Sequence, residues 1–186
     1  HLESYFHKTK SLSGKTILVN AGPTYEKLDP VRFIGNYSSG KMGIAIANEL
    51  CNRGATVHLV LGPAKAENIN PLVKLQRVES ADEMHNACIE LFDTCDAAIL
   101  SAAVADYKPA EKATQKIKKK DTEFLLPLIK TVDVLKSLGG VKRKNQVLVG
   151  FALETQNEYD NALIKLEKKN LDFIVLNSMN DKGAGF

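Results

Sequence analysis

The chain is 186 residues long, enough for one domain that buries roughly two-thirds of the surface its unfolded form exposes, with no need of a disulfide or metal staple. A composition of 44% hydrophobic and 25% charged residues excludes disorder, and 25 basic against 22 acidic residues leave a net charge of +3, too mild to indicate nucleic-acid binding. No apolar run approaches the roughly 18 residues of a membrane span, and the opening HLESYFH holds no secretory apolar core. Cys51, Cys88 and Cys95 fit no zinc spacing or disulfide frame and are expected to be reduced, buried thiols of a cytoplasmic protein. A first residue other than Met and a turn-like last stretch, 181–186, predict a piece of a longer protein.

The first element, 15–21 (KTILVNA), is a β-branched apolar run closed by Gly22-Pro23 and predicts a buried strand. A long loop over 22–38 follows. Ser39 reads as the N-cap of a helix opened by Gly40-Lys41-Met42-Gly43, carried by Ile44, Ala45, Ala47 and Leu50 and stopped by Gly54. Residues 56–61 (TVHLVL) form a second strand, 73–78 a weaker third, and Ser80 caps a helix over 81–92. A fourth strand, 97–101, runs into Ala102-Ala103-Val104-Ala105-Asp106. Next comes a Lys-rich excursion over 107–128, in which 116–118 and 124–126 read as strands of a hairpin. A short helix over 133–138 closed by Gly139-Gly140, a strand over 147–152, a helix over 158–170 and a strand over 173–176 complete the chain.

Apolar strands alternating with helices predict parallel pairing, covered on both faces. Right-handed crossovers then give a doubly wound, mainly parallel, Rossmann-like α/β sheet. Ligands of such a sheet bind outside the carboxyl ends of its strands. That places the site at the loop after Ala21, the 101–106 turn, the loop after Ala152 and the residues from Asn177 onward.

The stretch from Gly35 to Gly43, GNYSSGKMG, nearly spells a phosphate-binding loop, G-x-x-x-x-G-K-[ST]. Met42 stands where the metal-binding hydroxyl belongs, and Gly35 lies 14 residues past the strand end at Ala21. Two serines, two glycines and Lys41 at a helix N-terminus still suit an anion, because free N–H groups and the helix dipole favour negative charge. They equally suit a plain capped helix packed closely on the sheet. The 101–106 turn either lets a planar ligand approach a small-residue backbone, with Asp106 at the mouth, or is a tight sheet–helix contact beside a solvated Asp. The run Lys116-Ile117-Lys118-Lys119-Lys120 is a solvated face, or offers one lysine to developing negative charge in a crevice. Phe151 can stack on a base, and Lys165 and Lys169, four apart on one helix face, can bracket a triphosphate. A core Phe with solvated lysines is the alternative. His58 and His85, within a strand and a helix, read as structural.

Six strings occur in order: AGPT from Ala21, DPVR from Asp29, N-x-SSGKMG from Asn36, AAVAD from Ala102, KIKK from Lys116 and GFA-x-ET from Gly150. Together they resemble the bacterial phosphopantothenate–cysteine ligase family (phosphopantothenoylcysteine synthetase) over 12–186. That family is the ligase half of a bifunctional coenzyme A biosynthesis protein whose other half is an FMN-dependent decarboxylase. The resemblance implies a homodimeric enzyme using CTP and Mg²⁺. It activates 4′-phosphopantothenate as an acyl-cytidylate, releases pyrophosphate, and lets the amine of L-cysteine displace CMP.

The resemblance also assigns residues. Asn36 and Lys116 are catalytic, Asn36 contacting the acyl substrate or acyl-cytidylate and Lys116 the nucleotide and the activated intermediate. Ser101, Ala102, Ala103, Asp106, Thr131, Val132, Asp133, Val134, Phe151, Lys165 and Lys169 contact CTP, and Ala102 and Ala103 also contact the acyl substrate. Ser38, Ser39, Gly40, Lys41, Met42 and Gly43 cradle the triphosphate, and Asp106 is the candidate Mg²⁺ ligand. The 107–128 excursion becomes a dimerisation arm, 1–11 a linker from an upstream decarboxylase, and 12–186 a ligase domain lacking its C-terminal part. The family's Asn-Pro-Asp reads Thr131-Val132-Asp133 here. No nucleic-acid or membrane partner is expected.

Two other readings share the architecture. An NAD(P)-dependent oxidoreductase would carry G-x-G-x-x-G and an acidic residue at the end of the second strand, where Leu61 stands. A non-catalytic nucleotide-binding module would bind CTP without releasing pyrophosphate.

Overall fold

A computed structural model describes residues 10–118, 123–154 and 156–178. The apolar runs become six strands of one sheet. They are β1 (Thr16–Ala21), β4 (Thr56–Leu61), β5 (Lys74–Arg77), β6 (Ala97–Leu100), β9 (Val147–Glu154) and β10 (Phe173–Ser178). Every neighbouring pair is parallel, and the spatial order is β5-β4-β1-β6-β9-β10. That is the order of a doubly wound fold whose two halves meet between β1 and β6.

Four helices cover the sheet: α1 (Lys41–Asn52), α2 (Ala81–Phe92), α3 (Val134–Val141) and α4 (Glu158–Lys168). Strand alternation sorts the core into two layers. Ile17, Val19, Ala21, Val57, Leu59 and Leu61 pack with Ile44 and Ala47 of α1. Leu18, Val60, Ala98, Leu100 and Leu148 pack with Met84, Cys88 and Phe92 of α2 and with Val134 and Leu138 of α3. Helices thus lie on both faces, as the pattern predicts. Among the described residues, coverage on the α1 face ends before β10, where Phe173 is 62% exposed.

The helix starts follow from capping chemistry. Ser80 accepts the N–H of Glu83, and the buried Glu26 accepts the N–H of Ala81 at 2.8 Å. For α1 the N-cap is Gly40, not Ser39. Gly40 has φ 71°, and a Cβ there would sit 3.1 Å from the Cβ of Ala64, so conformation and space both require glycine. Gly139 and Gly140 lie inside α3 rather than closing it. Gly139 is needed there because the carbonyl of Lys169 occupies the space of a Cβ.

Two stretches differ from the expected loops. Within 22–38, β2 (Tyr25–Lys27) and β3 (Phe33–Gly35) form an antiparallel hairpin, with the Tyr25 and Phe33 rings stacked 3.8 Å apart. In the Lys-rich excursion the paired strands are β7 (Tyr107–Pro109) and β8 (Leu128–Lys130), not 116–118 and 124–126. Those two runs find no partner strand among the described residues, and Leu125 is 88% exposed. Residues 1–9, Lys119, Lys120, Thr155 and 181–186, which carry parts of the sequence reading, lie outside the described residues. Among the described residues no helix is long and apolar enough to cross a membrane.

Cys88 and Cys95 are buried and Cys51 half-buried, all free. Burial pushes the Cys88 thiol up to about 12 and raises that of Cys95. At pH 8 a thiol reagent is therefore expected to label Cys51 in the native protein and to reach Cys88 only after unfolding. Peptide mass spectrometry checks this; labelling of native Cys88 as fast as Cys51 would contradict the packing of α2 on the sheet.

Candidate nucleotide site

The small-residue turn after β6 has few polar side chains of its own to fix it. Buried side chains from neighbouring segments hold it. Asn20, in β1, accepts the Ala102 N–H on Oδ1 at 2.9 Å and donates from Nδ2 to Met84 Sδ at 3.6 Å. Thr24 Oγ1 accepts the Ala105 N–H at 2.9 Å, and the Thr24 N–H donates to the Ala103 carbonyl at 3.3 Å. From the other side, the Thr131 hydroxyl donates to the Ala105 carbonyl at 2.5 Å and its N–H to the Asp106 carbonyl at 3.0 Å.

Beyond this turn, at the carboxyl ends of β1, β6 and β9, lies a cleft of about 490 Å³. Ala102, Asp106, Thr131, Val132, Asp133, Val134, Phe151, Lys165 and Lys169 all line it. Asn20, Leu100, Val104, Tyr107, Lys130 and Leu135 complete the wall. Asp133 caps α3 through the Lys136 N–H at 2.9 Å, and its other oxygen pairs with Lys169 Nζ at 2.8 Å. Burial raises the Asp133 carboxyl, but Lys169 and the Lys136 N–H outweigh it and hold the group below the usual carboxylate range. Asp106 is exposed at the mouth.

The donor set suits a metal–nucleotide. Phe151 and the small residues offer a slot for a planar base, and the lysines offer charge for phosphates. Mg²⁺ is usually held by one or two carboxylates together with substrate phosphates, which Asp106 and Asp133 match. Among the described residues no cluster of three or more metal-ligating side chains exists.

The remaining predicted residues fall elsewhere. Ser38, Ser39 and Lys41 line a separate cavity of about 570 Å³ with Asn48, Pro63 and Asn68. Ser38 Oγ accepts the Gly40 N–H at 3.3 Å and Ser39 Oγ the Lys41 N–H at 3.5 Å, so the serines already take donors that an anion would use. Met42 is exposed and Gly43 buried against the sheet. Ser101 Oγ donates to the Asn20 carbonyl at 2.8 Å. The Ala103 N–H donates to the Gly22 carbonyl at 2.9 Å. Asn36 is brought to the turn, its Nδ2 donating to the carbonyls of Val104 at 3.1 Å and Ala103 at 3.4 Å. Lys116 is exposed and lines neither cavity.

Sequence reasoning missed Asn20, Thr24, Tyr107 and Lys130. A signal existed for the first two: an amide inside the apolar run ILVNA and a hydroxyl just after Gly22-Pro23 are polar groups that burial must satisfy.

Strand order, cleft position and lining define a Rossmann-type α/β domain with a nucleotide-sized site at its strand ends. Residues 12–186 match the DNA/pantothenate metabolism flavoprotein C-terminal domain, and the chain belongs to that family. It is 45% identical over 186 residues to the coenzyme A biosynthesis bifunctional protein CoaBC of Bacillus subtilis (strain 168), covering 99% of this chain and 46% of that protein. It is 51% identical over 187 residues to a protein of an unknown prokaryotic organism named cysteine/cysteine sulfinic acid decarboxylase, covering 98% and 52%. The chain thus spans about half the length of the curated relatives it matches. The crystal structure of the C-terminal domain of CoaBC matches with a TM-score of 0.79 at 46% identity, over 91% of this chain and 80% of that one.

Proposed function

We propose that the chain ligates 4′-phosphopantothenate to L-cysteine with CTP and Mg²⁺, as a unit of a coenzyme A biosynthesis protein. The observation that carries this reading is the meeting of Asp106, Asp133, Lys165, Lys169 and Phe151 in one cleft at the strand ends. Kinship with CoaBC, a coenzyme A biosynthesis protein, supports it.

A carboxylate is a poor electrophile at neutral pH, so it needs a leaving group. The cytosine base lies against Phe151 and the 131–134 segment, and the phosphates face Lys165 and Lys169. A carboxylate oxygen of phosphopantothenate attacks the α-phosphorus, the bond to the β-phosphate oxygen breaks, and pyrophosphate leaves. The cysteine amine then attacks the acyl carbon and CMP departs. Asp106 and Asp133, together with the phosphates, would hold Mg²⁺, which would supply neutralisation of the polyphosphate charge. Asn36 orients the acyl group beside Ala102 and Ala103, and Lys116 stabilises charge on the nucleotide and the activated intermediate. In this reading the helix start from Ser38 to Gly43 serves as the cradle for the far end of the triphosphate.

In this reading β7–β8 is a dimerisation arm; the exposure of Tyr107, Phe124, Leu125, Leu128 and Ile129 supports it. Residues 1–11 are a linker from an FMN-dependent decarboxylase, 12–186 belong to the ligase domain, and the protein works in the cytoplasm.

The test is pyrophosphate release with 4′-phosphopantothenate and Mg²⁺, comparing CTP with ATP, with and without cysteine, on protein carrying its natural C-terminus. Release specific to CTP that multiplies when cysteine is added is the expected result. No release from folded, dimeric protein would leave a nucleotide-binding module as the better description.

A further inference from the structure

Asp29 sits in the turn between β2 and β3 with its side chain wholly buried. Its Oδ1 accepts the N–H groups of Val31 at 2.8 Å and Arg32 at 2.9 Å. Its Oδ2 accepts Arg32 Nη2 at 2.6 Å and Nε at 3.0 Å. Up to this point it is a self-contained turn with a forked ion pair. Two further bonds reach into the Lys-rich excursion. Asp29 Oδ2 accepts the Ile117 N–H at 3.1 Å, and Arg32 Nη2 donates to the Ile117 carbonyl at 2.9 Å.

One side-chain pair therefore satisfies both backbone groups of Ile117, as a neighbouring strand would. The Ala113 N–H donates to the Leu28 carbonyl at 2.9 Å, a second fastening of the same segment to the same turn. The Arg32 guanidinium outweighs burial and draws the Asp29 carboxyl well below the ordinary carboxylate range. The pair is therefore charged at every pH above about 4 and is released only as pH falls below the usual carboxylate range.

The hairpin has a second attachment. From Arg32 the three residues of β3 lead directly to Asn36, whose amide is bonded to the Ala103 and Val104 carbonyls. The two residues read above as catalytic thus hang from opposite ends of one short strand. We propose that Asp29 and Arg32 are positioning residues: by pinning the backbone of Ile117 they hold Lys116 in fixed register with Asn36 and the 102–106 turn. This inference rests on the ligase reading of Lys116. A misplacement of about 1 Å can cost roughly 100-fold in rate, so a clamp one residue from a working lysine has large leverage.

The experiment uses the chain with its natural C-terminus and the variant Arg32→Lys, which keeps the charge but cannot fork between Asp29 and the Ile117 carbonyl. Asp29→Asn, which keeps the buried shape, carries the same measurements should Arg32→Lys not fold. Amide hydrogen exchange at Ile117 is expected to speed up by about 10-fold or more. The kcat for pyrophosphate release should fall by about 10- to 100-fold with KM for CTP nearly unchanged. Added to Lys116→Gln, the same change should cost nothing further, because both act through one lysine. Exchange at the wild-type rate, or losses that multiply in the double variant, would overturn the proposal. Absence of pyrophosphate release from wild-type protein sinks the ligase reading instead, and exchange at Ile117 still decides whether the clamp exists.

Discussion

Lys116→Gln is expected to lower product formation by about 100- to 1,000-fold while leaving the melting temperature unchanged. The two halves of that expectation have separate grounds. Lys116 is exposed, so its head group contributes no packing, and surface changes of this kind usually stay within about 0.5 kcal/mol. Its proposed work is electrostatic: a fixed positive charge facing negative charge that grows as the phosphoanhydride breaks. Glutamine is one atom shorter and keeps a donor but removes the charge. Asn36→Asp is the companion variant, since it converts a donor to the Ala103 and Val104 carbonyls into a second acceptor. Melting curves and single-turnover assays with purified protein check both. Wild-type turnover by a folded variant removes that residue from the catalytic assignment.

Gly43→Ala is expected to lower the melting temperature by roughly 2–4 °C and to weaken CTP binding with it. The added Cβ would press into the Cβ of Ala21 and lie 2.6 Å from Ser101 Oγ. Neither neighbour is a flexible chain end: Ala21 is core sheet, and Ser101 is bonded to the Asn20 carbonyl. Helix α1 must therefore lift from β1. Alanine regains up to about 1 kcal/mol of helix propensity, which overpacking of a close contact exceeds. The lift also disturbs Ser101, one residue before the turn that Asn20 holds, so stability and site geometry fall together. Calorimetry with and without CTP measures both. A melting temperature within a degree of wild type would mean that α1 does not seat as described.

The sheet was legible because its strands are buried runs with clear stops. KTILVNA before Gly22-Pro23 and TVHLVL before Gly62-Pro63 leave little choice, and the helices between them carry a 3.6-residue apolar period. The lining of the cleft was legible through topology and family likeness together, with Phe151, Asp106, Lys165 and Lys169 all found there. What stayed hidden depends on contacts between distant segments. The β2–β3 hairpin has three-residue strands stabilised by the Tyr25–Phe33 stack and by Glu26 at the start of α2, and no local pattern announces these. Lys116-Ile117-Lys118 alternates like a strand, yet the backbone of Ile117 is satisfied by Asp29 and Arg32 instead of a partner strand. The N-cap of α1 is Gly40, whose left-handed φ of 71° and tight 3.1 Å approach to Ala64, remote in sequence, are not written in the local pattern.

The ion pair between Asp133 and Lys169 bears on what the cleft admits. Each group cancels much of the other's charge, so the cleft attracts anions less strongly than its lysines alone would. A polyanion arriving bare can engage Lys169 only by leaving the Asp133 carboxylate facing its own negative oxygens. One arriving with a divalent cation offers a partner to both, and the two side chains trade one opposite charge for another without stranding either. On the proposed reading the pair would act as a filter on stoichiometry, disfavouring free nucleotide and accepting the cation complex. Dependence on the divalent ion should therefore already appear when affinity alone is titrated, before any bond is made or broken.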